Sequence, residues 1–209
     1  MIGISEFKYR TAEHNCAHKY LLPKLIKILN EVKFDKDKNI FELGCGNGSV
    51  ANFLYNKGYK VTGVDPSKEG IVIANKKFPH INLKLGSCYD DLQKNYGQFN
   101  AVISLEVIEH VFEPHKYAAC VFDLLKDGGS AIISTPYHGY LKNVALSITG
   151  KMDDHFTALW DYGHIKFWSK KTLRQLLNEV GFADIRFLRV GRIPILAKSM
   201  IAVANKGKT

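Results

Sequence analysis

The sequence predicts an α/β fold: a mostly parallel seven-stranded sheet with helices on both faces and an antiparallel C-terminal hairpin. Three observations predict it. Strand-like and helix-like segments alternate from about residue 38 to 135, as they do in successive βαβ units. The first strand runs into the glycine loop Gly44-Cys45-Gly46-Asn47-Gly48, and Asp65 closes the second strand, which is a Rossmann-like arrangement. The last two strand-like runs are joined only by Gly191-Arg192-Ile193-Pro194, which favours a hairpin over a crossover.

The elements follow in order. His18 to Asn30 has the apolar spacing of an amphipathic helix that packs on the sheet. Asn39–Leu43 is the first strand, and Gly48 to Lys57 is a helix with Val50, Phe53 and Leu54 on one face, ended by Gly58. Tyr59–Asp65 is the second strand, followed by a helix that Ser67 caps and that runs towards Phe78. Ile81–Leu85 and the β-prone Phe99–Ser104 are the third and fourth strands. A helix opens at Pro114 and ends before Asp127-Gly128-Gly129, and Ser130–Thr135 is a fifth strand stopped by Pro136. Residues 137–168 show no simple period. Ser169 caps a helix to Val180, Gly181 ends it, and Phe182–Val190 and Ile195–Ala204 form the hairpin. The chain reads as one domain: residues 1–37 as an N-terminal helical lid, 38–136 as a core, 137–168 as an insertion on the substrate side, and 169–209 as a C-terminal helix and hairpin.

Composition narrows the class. At 209 residues, 46% hydrophobic and 23% charged, the chain can bury a sizeable core. No apolar run reaches the eighteen or so residues of a membrane span, and the N-terminus lacks the basic and apolar blocks of a secretory signal, so a cytoplasmic protein is expected. Cys16, Cys45, Cys88 and Cys120 form no C-x-x-C pair, which argues against a zinc ribbon and a disulfide scaffold. The net charge of +9 suits a lysine-rich solvated surface. It also leaves open an acidic partner, nucleic acid or anionic lipid, although no Arg-rich block favours nucleic acid. Leu141, Val144, Leu146 and Ile148 with Lys142 and Lys151 pattern either a core or lid helix or a peripheral membrane face.

The glycine loop and its flanking acids carry the chemistry. Alternating glycines let the backbone approach a ligand, and the next helix aims its first amides at it. Asp65 stands where a carboxylate accepts the hydroxyls of a ribose. Glu42, just before the loop, would repel the pyrophosphate of a dinucleotide and attract a sulfonium or an ammonium group. These two acids favour a cationic, ribose-bearing cofactor, S-adenosylmethionine, over NAD.

The segments Phe41–Gly48, Val61–Ser67, Phe99–Val111 and Leu124–Pro136 resemble the successive motifs of class I S-adenosylmethionine-dependent methyltransferases. In Ser104–Val111 and Ser134-Thr135-Pro136 the likeness is to the ubiquinone-biosynthesis O-methyltransferases. The resemblance implies that Gly44, Cys45, Gly46 and Gly48 pack on the methionine part of the cofactor, with Glu42 beside them. It implies that Asp65 holds the ribose, that Pro66, Ser67, Ser87 and Cys88 flank the adenine, and that Leu105 and Glu106 lie near the reactive methyl. The acid common in that family near Ser87 or Cys88 is missing here, leaving backbone or Asp90 for the adenine amino group. Tyr20 and Arg10 are lid contacts in the same reading, and S-adenosylhomocysteine is the expected product.

Glu106-Val107-Ile108-Glu109-His110 sets two carboxylates and an imidazole in one turn after the fourth strand. Either they hydrogen-bond the loop and cofactor, or they bind Mg²⁺ or Mn²⁺. An E-x-x-E-H segment also resembles the small-RNA terminal-ribose methyltransferases, which implies that His164 completes a metal set with Glu106, Glu109 and His110. Without metal, His110, His138 or His164 is the candidate general base. Phe156, Trp160, Tyr162, Phe167 and Trp168 are candidate walls or core of a lid. The expected function is methylation of a small-molecule hydroxyl; the alternatives are an RNA ribose methyltransferase and a non-catalytic cofactor-binding protein.

Overall fold

The computed structural model describes residues 11–14, 16–156, 158–161 and 163–207, so Arg10 and Tyr162 lie outside the described residues. Seven strands form one sheet: β1 (Asn39–Leu43), β2 (Lys60–Asp65), β3 (Asn82–Leu85), β4 (Phe99–Leu105), β5 (Leu125–Pro136), β6 (Phe182–Val190) and β7 (Ser199–Lys206). Their order is β3-β2-β1-β4-β5-β7-β6. The strands from β3 to β5 pair in parallel, whereas β7 is antiparallel to both β5 and β6. The direction of winding reverses between β1 and β4, and in such sheets ligands bind outside the carboxyl ends of the strands at that point.

Burial on both faces explains why β1 and β4 carry consecutive apolar residues, such as Ile40-Phe41 and Ala101-Val102-Ile103, rather than an alternating pattern. Ile40 of β1 faces one core layer, formed by α1 (His18–Leu29), α2 (Ser49–Tyr55) and α3 (Lys68–Lys77), with Leu25, Leu54 and Ala74 buried there. Phe41 faces the other layer, where α4 (Leu92–Tyr96), α5 (Pro114–Asp123) and α8 (Lys170–Val180) pack Leu92, Tyr117 and Leu177. Adjacent residues on a strand point to opposite faces, so one short strand anchors both layers. α8 begins with a reciprocal cap in which the Ser169 hydroxyl accepts from Thr172 N and the Thr172 hydroxyl accepts from Ser169 N.

Several elements differ from the sequence reading, among them α4, a helix it did not contain. The final strand starts at Ser199 rather than Ile195, because Pro194 opens a 3₁₀ turn over Pro194–Leu196. Strand β5 starts at Leu125, so Asp127-Gly128-Gly129 lies within it, at a register shift between Phe99 and Ala101 of β4. Residues 137–168 hold two helices, α6 (Tyr140–Ile148) and α7 (Met152–Phe156), and α6 buries none of its residues, which sets aside a core role for it. No helix among the described residues is long and apolar enough to cross a membrane.

Candidate active site

The carboxyl ends of β1, β2 and β4 open into a cavity of about 630 Å³. Its floor is the loop after β1: Gly44, Cys45, Gly46 and Asn47 line it, with Glu42 beneath and Asp65 and Pro66 beside it. Gly44 is left-handed (φ +85°), and a Cβ there would come within 2.4 Å of Val107 Cγ2. Only glycine lets this backbone turn while Val107 covers it. Gly48 serves packing instead. A Cβ on it would meet Leu83 Cδ1 at 2.8 Å and Ala74 Cβ at 3.0 Å, so it brings α2 against α3 and β3 rather than lining the cavity.

Asp65 ties the loop to the next helix. Its Oδ2 accepts from Gly46 N at 2.8 Å and its Oδ1 from Ser67 N at 2.8 Å. Burial lifts its pKa to about 6 against these two bonds. Ser67 stays out of the cavity and caps α3 by accepting from Gly70 N. Glu42 is buried, Oε2 has no hydrogen-bond partner among the described residues, and burial and the charge of Asp65 raise its pKa well above the usual range. A buried, unmatched carboxylate is costly unless a cation or donor comes to it. That is a physical fit for the ammonium group of S-adenosylmethionine.

A narrow recess of about 70 Å³ adjoins the cavity and shares Gly44, Pro66, Val107 and His110 with it. Ser87, Cys88 and Val111 complete its mostly apolar walls, which suit the faces of an adenine ring. Asp90 is committed elsewhere, because its Oδ2 accepts from Ser87 N at 2.7 Å and so shapes the recess wall.

The turn after β4 brings Glu106, Glu109 and His110 to the cavity. Glu109 is 1% exposed, and neither of its carboxylate oxygens has a hydrogen-bond partner among the described residues. Burial, then the charge of Glu106, pushes its pKa well up, with the nearby Thr135 hydroxyl opposing. His110 Nδ1 lies 3.2 Å from Gly163 O. A carbonyl can only accept, so Nδ1 carries a proton, and in the neutral ring Nε2 is the basic nitrogen. His164 Nε2 lies 3.9 Å from Glu109 Oε1, and burial followed by the charge of His110 lowers its pKa to about 4. At neutral pH a neutral imidazole therefore meets a buried carboxyl, and the contact is not an ion pair.

Ligand atoms of Glu109, His110 and His164 all lie within 4.8 Å of one another. The backbone explains this convergence. Ile165 N and Lys166 N both donate to Glu109 O, at 2.9 and 3.0 Å, and Trp168 Nε1 donates to Ile108 O at 3.3 Å. These bonds dock the segment 163–168 on the turn Ile108–His110 and so bring His164 beside Glu109. One carboxylate and two imidazoles around a common point fit a divalent cation.

Other expected site residues sit differently. Leu105 and Glu106 line the cavity, but the carboxylate of Glu106 is held by Ser134 and Ser199 and is not in the three-residue group. His138 does not line it: the ring stacks on Phe156 at 5.8 Å and meets Phe167 edge-on at 5.1 Å, and burial lowers its pKa to about 4. Trp160 does reach the cavity, next to His110 and His164. Tyr20 lies behind the wall and meets Ser199 Oγ at 3.1 Å.

The sequence reading gave residues 1–37 as a lid but named only Arg10 and Tyr20 in it. Thr11, Glu13, His14, Ala17 and His18 close the cavity over the glycine loop. Asn47 fastens them, with Nδ2 donating to Thr11 O at 2.7 Å and Glu13 O at 3.0 Å. His14 and His18 approach through their Nδ1 atoms at 3.1 Å. Their i,i+4 spacing is the one signal that could have placed them on a shared face.

Comparison with known proteins identifies the family and agrees with the fold. A methyltransferase-domain family model matches residues 14–186. The mitochondrial ubiquinone biosynthesis O-methyltransferase of Rattus norvegicus is 36% identical over 103 residues, which is 46% of this chain and 30% of that protein. The ubiquinone biosynthesis O-methyltransferase of Rickettsia bellii is 34% identical over 119 residues, 56% of this chain and 48% of that protein. The chain thus spans less than half the length of these relatives. A SAM-dependent methyltransferase structure from Archaeoglobus fulgidus superposes with a TM-score of 0.64 at 16% identity, covering 89% of this chain and 93% of that one. The chain belongs to the class I S-adenosylmethionine-dependent methyltransferase family.

Proposed function

We propose that the protein transfers the methyl group of S-adenosylmethionine to a hydroxyl of a small-molecule acceptor, assisted by a divalent cation at Glu109, His110 and His164. The observation that carries the reading is that this group shares one cavity with the glycine loop. The names of the ubiquinone-pathway relatives support the small-molecule hydroxyl.

The chain's own part is positioning. Glu42 meets the ammonium group, Asp65 the ribose, and the recess at Pro66, Cys88 and Val107 the adenine. The sulfonium methyl is then directed at the acceptor beside His110, in a cavity where Trp160, Thr11, His14 and His18 restrict water. When bound, Mg²⁺ or Mn²⁺ supplies the charge that lowers the pKa of the acceptor hydroxyl. The hydroxyl gives its proton to solvent water, its oxygen bonds to the methyl carbon, and the electron pair of the breaking sulfur–methyl bond stays on sulfur to leave neutral S-adenosylhomocysteine. Without the cation, Nε2 of His110 is the atom placed to take that proton.

Radiolabelled S-adenosylmethionine offered with a panel of catechols, phenols and sugars tests the proposal. Label should enter a phenolic or alcoholic oxygen, EDTA should abolish transfer, and added Mn²⁺ should restore it. Transfer to a 3′-terminal RNA ribose in place of every small molecule would overturn the acceptor class. Undiminished transfer in EDTA would remove the cation.

A further inference from the structure

A second pair of imidazoles lies in the N-terminal wall of the cavity, apart from the group after β4. His18 opens α1, and His14 precedes it by four positions. Their Nδ1 atoms are 3.1 Å apart, and the two rings stand nearly perpendicular at 87°. Phe53 of α2 meets His14 edge-on at 6.1 Å, which ties this exposed ring to the helix after the glycine loop. Two nitrogens 3.1 Å apart, each about 2.0–2.1 Å from a zinc ion, subtend roughly 100° at it, close to the tetrahedral angle. The pair therefore has the bite of a chelate without any movement of the backbone.

The donor set selects the ion. Without metal, one Nδ1 donates to the other; a bound ion takes the place of that proton, which moves to Nε2 of the same ring. Burial, then the charge of His14, lowers the pKa of His18 to about 4, so its ring is neutral and able to ligate at neutral pH. Among the described residues no third histidine, cysteine or carboxylate brings a ligand atom within 4.8 Å of both nitrogens. Cys16, exposed between the two in sequence, thus stays outside the pair, and water completes the shell. Imidazoles without an oxygen ligand from the protein suit Zn²⁺, Ni²⁺ or Cu²⁺, whereas the Glu109 carboxylate lets the group after β4 take Mn²⁺.

We propose that His14 and His18 form a second cation site, a two-imidazole chelate for Zn²⁺ or a similar borderline ion, that pins the N-terminal wall and slows cofactor exchange. Asn47 already holds Thr11 and Glu13 from the glycine loop. The chelate adds a second tie, from the wall to the first turn of α1, so the segment is fixed from both sides over the cavity. An ion here regulates access and takes no part in methyl transfer. The effect on exchange rests on the cofactor placement proposed above, whereas the chelate rests on the histidine pair alone.

Glu109→Gln protein, in which the group after β4 lacks its carboxylate, isolates the pair. Calorimetry should show Zn²⁺ binding to Glu109→Gln, and adding His14→Ala should weaken it on the order of a hundredfold, because the second imidazole of a chelate binds as an intramolecular ligand. His18→Ala should do the same, and Cys16→Ser should not. Zn²⁺ should slow hydrogen exchange across residues 11–18 in Glu109→Gln and leave it unchanged once His14→Ala is added. Stopped-flow release of S-adenosylhomocysteine should slow several-fold with Zn²⁺, again only while both histidines are present. Zn²⁺ affinity that survives His14→Ala would place the ion elsewhere and overturn the proposal. Binding that leaves exchange and release as fast as before would overturn the pinning. A protein that binds no S-adenosylhomocysteine would refute the cofactor placement instead, and the Zn²⁺ affinity and hydrogen exchange would still decide the chelate.

Discussion

Gly44 shows how much one residue can decide. Its left-handed φ and the 2.4 Å that would separate a Cβ from Val107 Cγ2 leave no room for a side chain. Gly44→Ala combines backbone strain with overpacking, together about 2–4 kcal/mol. The expected outcome is a lowered melting temperature and weaker S-adenosylhomocysteine binding, read by thermal denaturation with and without ligand. The acids are graded by the same local logic. Asp65 is satisfied by two backbone amides, Glu106 by two serines, and Glu42 and Glu109 keep oxygens without partners among the described residues. A buried polar group without a partner in the protein calls for an explanation, and where it lines a cavity a ligand, ion or water is the natural one.

Among the elements, the N-terminal wall depends on Asn47 more than on its own sequence. Two bonds from a single amide hold Thr11 and Glu13 over the cofactor floor. Asn47→Ala should release that wall, speed hydrogen exchange across residues 11–18, and weaken cofactor binding about tenfold, as two hydrogen bonds of ordinary strength would. Unchanged exchange there would mean the wall is held by α1 packing alone. The elements also mark the reach of the sequence. The strands from β1 to β4, the glycine loop, and Ser169 with Gly181 around α8 were legible, because local spacing and caps dictate them. The start of β7 was not, since Ile195 has strand-like chemistry while Pro194 takes its neighbours into a 3₁₀ turn. Nor was the separation of His138 from the cavity. Both His138 and His164 follow the core in sequence, and only the bonds from Ile165 and Lys166 to Glu109 O determine which imidazole arrives. The turn of Glu106 towards Ser199 depends on a pairing across 93 positions of sequence, which no local pattern encodes.

At the scale of the molecule, the buried site makes stability depend on pH. Burial raises Asp65 to about 6 and Glu106 to about 7 in the folded protein, and it also lifts Glu42 and Glu109 well above the usual carboxylate range. In the unfolded chain such groups ionise at about 4. The folded state therefore binds more protons above that point, and stability falls as pH rises through the folded values. His18, His138 and His164 act in the opposite sense, since burial lowers each to about 4. Their contribution grows as pH rises towards the unfolded value of about 6.5 and is complete above it. From pH 6.5 to 8 the carboxyl slope leads, about 1.4 kcal/mol per pH unit for each group still protonated in the fold, and Lys142, lowered by burial to about 8, opposes it only near the upper end. The melting temperature of the ligand-free protein should fall over that range, and Glu42→Gln should make the fall shallower. A melting temperature that rises across it would contradict the burial of these acids.

All three scales meet at the group after β4, where the turn and the segment 163–168 bring one carboxylate and two imidazoles together beside the cofactor floor. The most direct measurement is a calorimetric titration of Mn²⁺ into the protein loaded with S-adenosylhomocysteine, for the wild type and Glu109→Gln. One equivalent bound by the wild type and none by the variant is the result this site predicts. No binding by the wild type, or binding that survives Glu109→Gln, would contradict it.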